Sequence, residues 1–112
     1  MWYHIRMKKV QRETDKNSSD YPTPAIHELF DAILTLKNSN EAIQFFRDLL
    51  TVAELTEFAN RWQMVKLLIQ GKSYTYIAKT LKVSTTTVTR VAYWLRNGMG
   101  GYKTVSSRIF DK

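Results

Sequence analysis

The run Ser84-Thr85-Thr86-Thr87-Val88-Thr89-Arg90 gathers side chains able to read a patterned surface by hydrogen bonding. At helical spacing Val88 turns to the same side as Val91 and Leu95, so Thr85, Thr86, Thr89 and Arg90 share the opposite side. Their hydroxyls donate or accept, their methyls suit apolar groups, and the guanidinium donates in a planar fork. Base-pair edges in a duplex major groove ask for that mixture: acceptors on guanine, and oxygen plus methyl on thymine. Lys72, Lys79, Lys82, Ser84 and Arg96 lie around this face and offer phosphate-binding chemistry, which fixes position without reading sequence.

A helical hairpin with a solvated polar face can produce the same pattern, and charge separates the two readings. The chain carries 17 basic and 10 acidic residues, a net +7. Residues 1–23 hold five basic and three acidic side chains, 24–70 hold four and six, and 71–112 hold eight and one. These segments therefore carry +2, −2 and +7, which puts the excess on the segment with the reading face and its tail, Lys103 and Arg108 included. A solvated face needs no such bias, whereas a polyanion partner rewards it.

Other chemistries find little support. The chain lacks cysteine, which excludes disulfides and thiolate metal ligation. His4 and His27 are not at metal-ligand spacing, no glycine-rich phosphate loop occurs, and Glu28 and Asp31 read as a solvated helix face. Neither metal, cofactor nor catalytic residue is expected. No apolar run approaches the roughly 18 residues of a membrane span. The expectation is a cytoplasmic protein associated with the nucleoid and with no membrane partner.

The reading face needs two helices to hold it. Ser73 is an N-cap for the first, with Ile77, Ala78 and Leu81 inward, and Ala78 is small where two helices must cross closely. Lys82-Val83-Ser84 makes the turn, with Val83 in the angle and Ser84 capping the second helix. Glycine is common where Lys82 stands because the turn favours positive φ, and a lysine there costs on the order of 1 kcal/mol. Residues 73–97 thus read as a helix-turn-helix.

Upstream, Thr23-Pro24 opens a helix with the stripe Ile26, Leu29, Phe30, Ile33 and Leu34, expected to stop near Asn38. A second, from about Asn40, carries Ala42, Ile43, Phe45, Phe46, Leu49 and Leu50. Thr51 and Glu54 form a capping box for a third, whose apolar residues spread from Leu55 to Ile69 and which Gly71 ends. An apolar circumference this wide suggests the centre of an oligomer, so 23–71 are expected to be dimerisation helices. Residues 1–22 read as a flexible arm and 98–112 as a tail without a convincing period.

Taken together, Leu49-Leu50-Thr51-x-x-Glu54, Arg61, the leucine-rich end at Gly71 and Thr85-Thr86-Thr87-Val88-Thr89-Arg90 resemble the Trp repressor family, and most closely its YerC/YecD-type subgroup of small bacterial proteins. The resemblance covers about residues 23–101. It implies an all-α, Trp-repressor-like helical bundle, an intertwined homodimer with one helix-turn-helix per subunit, and a transcriptional repressor acting on double-stranded DNA. It also implies an effector pocket. Arg61 and Arg90 match the arginines that hold the amino acid corepressor, and Leu50 and Thr51 match residues that close the pocket. Val91 and Trp94 stand where the repressor has small residues, so no response to L-tryptophan is expected, and two outcomes stay open: Trp94 takes the place of a free indole in an effector-free repressor, or the pocket is reshaped for another small anion. Any effector is then a small molecule of another class. Tyr74 and Thr75 replace DNA-contacting side chains of the repressor, so its operator is not implied. The competing reading is a helical dimeric protein-interaction module with a residual helix-turn-helix, separable by salt because DNA binding weakens steeply as salt rises.

Overall fold

Capping chemistry sets where each helix starts. The computed structural model describes residues 20–111, where six helices and no strand occur. The arm assigned to 1–22 lies, apart from its last three residues, outside the described part. Helix α1 (Pro24–Ile33) begins where Thr23 Oγ1 accepts the Ile26 N–H at 3.2 Å, with proline in the first turn where its missing N–H costs nothing. It ends sooner than the expected Asn38. The Thr35 hydroxyl donates to the Ala32 carbonyl at 2.7 Å and the Leu36 N–H to the Ile33 carbonyl at 3.1 Å, turning the chain out of the helix. Asn38 instead caps α2 (Ser39–Leu49): its Oδ1 accepts the Glu41 N–H at 2.9 Å, while the Glu41 carboxylate accepts the Lys37 N–H at 3.0 Å.

The chain forms two compact units, 1–48 and 49–112. In the described part of the first, no residue of α1 or α2 is buried. Ile26, Leu29, Ile33, Ala42, Phe45 and Phe46 are half-buried, while Leu34 and Ile43 are 81% and 67% exposed. Phe45 and Phe46 meet edge to face at 5.6 Å.

The second unit has a core of its own. Helix α3 (Val52–Ile69) carries the expected capping box: Thr51 Oγ1 accepts the Glu54 N–H at 3.1 Å, and the Glu54 carboxylate accepts the Thr51 N–H at 2.9 Å. At its other end Gly71 takes φ +82° and the Lys72 N–H closes on the Leu67 carbonyl at 3.1 Å. Two short helices follow, α4 (Tyr74–Leu81) and α5 (Thr85–Asn97). Met64 and Val65 of α3, Ile77 and Ala78 of α4, and Val88 and Val91 of α5 form the buried cluster, with Leu68, Leu81, Val83 and Leu95 packed against it. Helix α3 therefore groups with the helix-turn-helix rather than standing apart from it. Its first half is far less covered, with Val52 and Phe58 about half exposed.

The segment expected to be a tail without a period is largely a sixth helix, α6 (Gly101–Phe110). Gly98 caps the end of α5 with its N–H on the Trp94 carbonyl at 2.9 Å, in a position where a Cβ would strike that oxygen, and Gly100, at φ +89°, swings the chain into α6. The Trp62 ring of α3 stacks on Phe110 at 5.9 Å and 15°, and lies 6.4 Å from Tyr102. Ser106, buried between them in sequence, donates its hydroxyl to the Tyr102 carbonyl.

Candidate nucleic-acid interface and adjoining cleft

The turn between α4 and α5 aims the reading face. Lys82 adopts φ 58° and ψ 47°, the only positive φ among described non-glycine residues, and the Val83 N–H donates to the Ala78 carbonyl at 3.0 Å. That reversal carries Val83 against the core and delivers Ser84 to the start of α5. Ser84 Oγ accepts the Thr87 N–H at 3.1 Å and shares a 2.9 Å hydrogen bond with Thr87 Oγ1. Ser84, an expected phosphate contact, is therefore largely occupied with capping.

Thr85, Thr86, Thr89 and Arg90 all lie exposed along α5, while Val88 and Val91 of the same helix are buried. Thr89 already donates its hydroxyl to the Thr85 carbonyl at 2.9 Å, which leaves its methyl and the oxygen's two lone pairs for a partner. Lys72, Lys79, Lys82 and Arg96 are exposed as well, and Lys72 Nζ rests over the Tyr76 ring, 5.3 Å from its centroid. The three-helix core thus presents a polar face with cations near it.

Behind that face lies a cleft of about 500 Å³ in which Arg61, Arg90, Val91 and Trp94, four of the six expected pocket residues, come together. Leu50 and Thr51 are not part of its wall; Thr51 spends its hydroxyl on the cap of α3. Glu57, Asn60 and Tyr102 line it without having been anticipated. The first two are visible in the sequence only as residues spaced with Arg61 on one face of α3, and Tyr102 depends on α6 being helical. Glu57 accepts from Arg61 Nη2 at 2.9 Å across one helical turn, so one of the two guanidiniums is already paired. The Arg61 guanidinium also sits 5.7 Å from the Phe58 ring. The Arg90 side chain has no ion pair or hydrogen bond among the described residues. The Trp94 indole, 58% exposed and edge-on to Tyr93 at 5.6 Å, forms a wall of the cleft beside Val91.

Among the described residues, no cluster of His, Asp or Glu is placed to hold a metal ion, and no helix is long and apolar enough to cross a membrane.

Residues 25–109 match the model of the Trp repressor protein family. The chain is 33% identical over 84 residues to the uncharacterised protein YerC of Bacillus subtilis, covering 75% of this chain and 81% of that one. Two crystal structures are similar over most of the chain. A TrpR-like protein from Eubacterium eligens superposes with a TM-score of 0.76 at 36% identity, covering 83% of this chain and 95% of its own. A protein from Staphylococcus aureus, regarded as a candidate Trp repressor, gives 0.75 at 40% identity, with 81% and 91% covered. The match spans both the capped α3 helix and the helix-turn-helix, in a family of regulators rather than enzymes, and this chain belongs to the Trp repressor family, on its YerC-type branch.

Proposed function

We infer that this protein is a sequence-specific double-stranded DNA-binding transcriptional regulator, a repressor, acting as a homodimer without response to L-tryptophan. The observation that carries the reading is the exposed row Thr85, Thr86, Thr89 and Arg90 on a helix whose other side is locked into a core, within the segment that holds the whole net charge. A rigid α5 projecting such a row into a major groove supplies direct readout, and Lys72, Lys79, Lys82 and Arg96 supply phosphate contacts. Homodimerisation is supported by α1 and α2, none of whose residues is fully buried in a single chain. Two copies related by a two-fold axis set their recognition helices about 34 to 36 Å apart, one turn of duplex.

The absence of a tryptophan response is supported by the cleft. Val91 and Trp94 add bulk to its wall, and the Glu57–Arg61 pair withdraws one cation from any incoming carboxylate, leaving Arg90 as its anchor. A small anion other than tryptophan remains the class of effector that fits. Selection of genomic fragments by the full chain, with and without L-tryptophan, tests the reading. A two-fold symmetric motif unchanged by the amino acid is expected; no enriched motif, or one that requires tryptophan, overturns it.

A further inference from the structure

Lys72 and Tyr76 stand at the start of α4, outside the row of side chains assigned to base readout. Lys72 is fixed at its backbone by the closing hydrogen bond to Leu67, and its ammonium lies over the Tyr76 ring at 5.3 Å. Tyr76 is itself held at its N–H by Ser73 Oγ at 3.1 Å, yet its side chain is 48% exposed. Ile77 and Ala78, next in the chain, are buried, so the helix cannot roll to cover the ring. Lys79 follows Tyr76 one turn later on the same edge of α4, while Lys72 reaches the ring from just before the helix. This large half-exposed ring in a segment of charge +7 carries a cation over its face.

We propose that Tyr76 is a positioning residue for DNA binding: its ring face holds the Lys72 ammonium in place at the N-terminus of α4 as a preformed phosphate contact. This rests on the DNA-binding reading and adds a residue to it. A free lysine has many rotamers, and clamping it to one geometry costs affinity when the phosphate arrives. A ring face attracts the ammonium beforehand, so part of that ordering is complete in the free protein. The positive end of the α4 dipole acts on the same phosphate. The ring does not interact with base edges in this scheme, so it acts on all sequences alike.

The test is fluorescence anisotropy of a mixed-sequence 30-base-pair duplex, titrated with the full chain over a salt series. Tyr76→Leu removes the ring, Tyr76→Phe keeps the ring and drops the hydroxyl, and Lys72→Ala removes the cation. Tyr76→Leu is expected to weaken binding about three- to five-fold, the size of an exposed cation–π contact, with the salt slope unchanged because the charge remains. Tyr76→Phe should bind as the wild type does. Lys72→Ala should lower the salt slope by about one, and in that background Tyr76→Leu should cost nothing further. Losses that multiply in the double variant, wild-type binding by Tyr76→Leu, or equal losses in Tyr76→Phe and Tyr76→Leu each overturn the positioning role. A wild type with no salt-dependent duplex binding overturns the DNA-binding reading as well, which tells the two failures apart. Equal helical circular dichroism in all variants confirms that the comparison is between folded proteins.

Discussion

Lys82 carries a conflict that only a side-chain comparison exposes. Its backbone is left-handed, at φ 58°, where an L-residue with a Cβ costs about 1 kcal/mol or a little more. Its ammonium lies beside the reading face. Lys82→Gly removes the steric cost but gives the unfolded chain more freedom, so the net stabilisation expected is below about 1 kcal/mol. The same change should weaken duplex binding to every sequence. Thermal unfolding paired with anisotropy checks both, and a glycine variant that binds DNA better than the parent would remove Lys82 from the phosphate set. Base readout has the opposite signature. Among the described residues Thr86 makes no side-chain hydrogen bond and Thr89 is bonded back to Thr85, so Thr86→Ala should relax sequence preference by about 1 to 3 kcal/mol at one base pair, and Thr89→Ala chiefly through its lost methyl. Lys79→Ala should lower affinity for all sequences equally. Measured on single-base variants of a selected site, a uniform loss for Thr86→Ala would place that residue on the backbone instead.

At the scale of elements, the helix starts were readable because capping is local. Thr23, Thr51, Ser73 and Ser84 each accept the N–H three residues on, as their types and positions suggest. Glu54 makes one of these starts sensitive to pH. Accepting first the Thr51 backbone N–H and then its hydroxyl holds the Glu54 carboxyl below its ordinary value. A group whose pKa is lowered on folding stabilises the fold above its unfolded value and loses that contribution as pH falls through the folded one. Glu54→Gln keeps an acceptor at the cap without the charge. Urea unfolding should therefore show the parent more stable than Glu54→Gln at neutral pH and the two converging below pH of about 4. A gap that persists in acid would assign the difference to packing. Helix α6 is the contrary case. Its apolar residues are too sparse to form a stripe, and its helical state depends on Trp62 supplying a surface for Tyr102 and Phe110.

For the whole molecule the open question is what covers α1 and α2. Ile43 at 67% and Leu34 at 81% exposure are costly to leave in water, whereas the second unit has a closed core. Light scattering at micromolar concentration should give twice the chain mass, and Ile43→Asp should lower that mass, because a carboxylate on an apolar interface loses its hydration without gaining a partner. The helical signal of the second unit should survive this change, since none of the core residues is altered. A wild type that scatters as a single chain at that concentration rules the dimer out.

Sequence alone was enough for whatever depends on neighbours within one turn: the caps, the apolar side of α4 and α5, the outward row of Thr85, Thr86, Thr89 and Arg90, and the charge that marks their half of the chain. The family motif was legible for the same reason, being a set of short local spacings. Tertiary structure decided what depends on contacts between distant segments. It made α6 a helix by stacking Phe110 on Trp62, and it joined Glu57, Asn60 and Tyr102 to Arg61 and Arg90 around one cleft. It also stood Trp94 in the wall of that cleft, because the direction of a side chain on α5 follows from how that helix crosses α3, and a crossing angle is written in no single window of sequence.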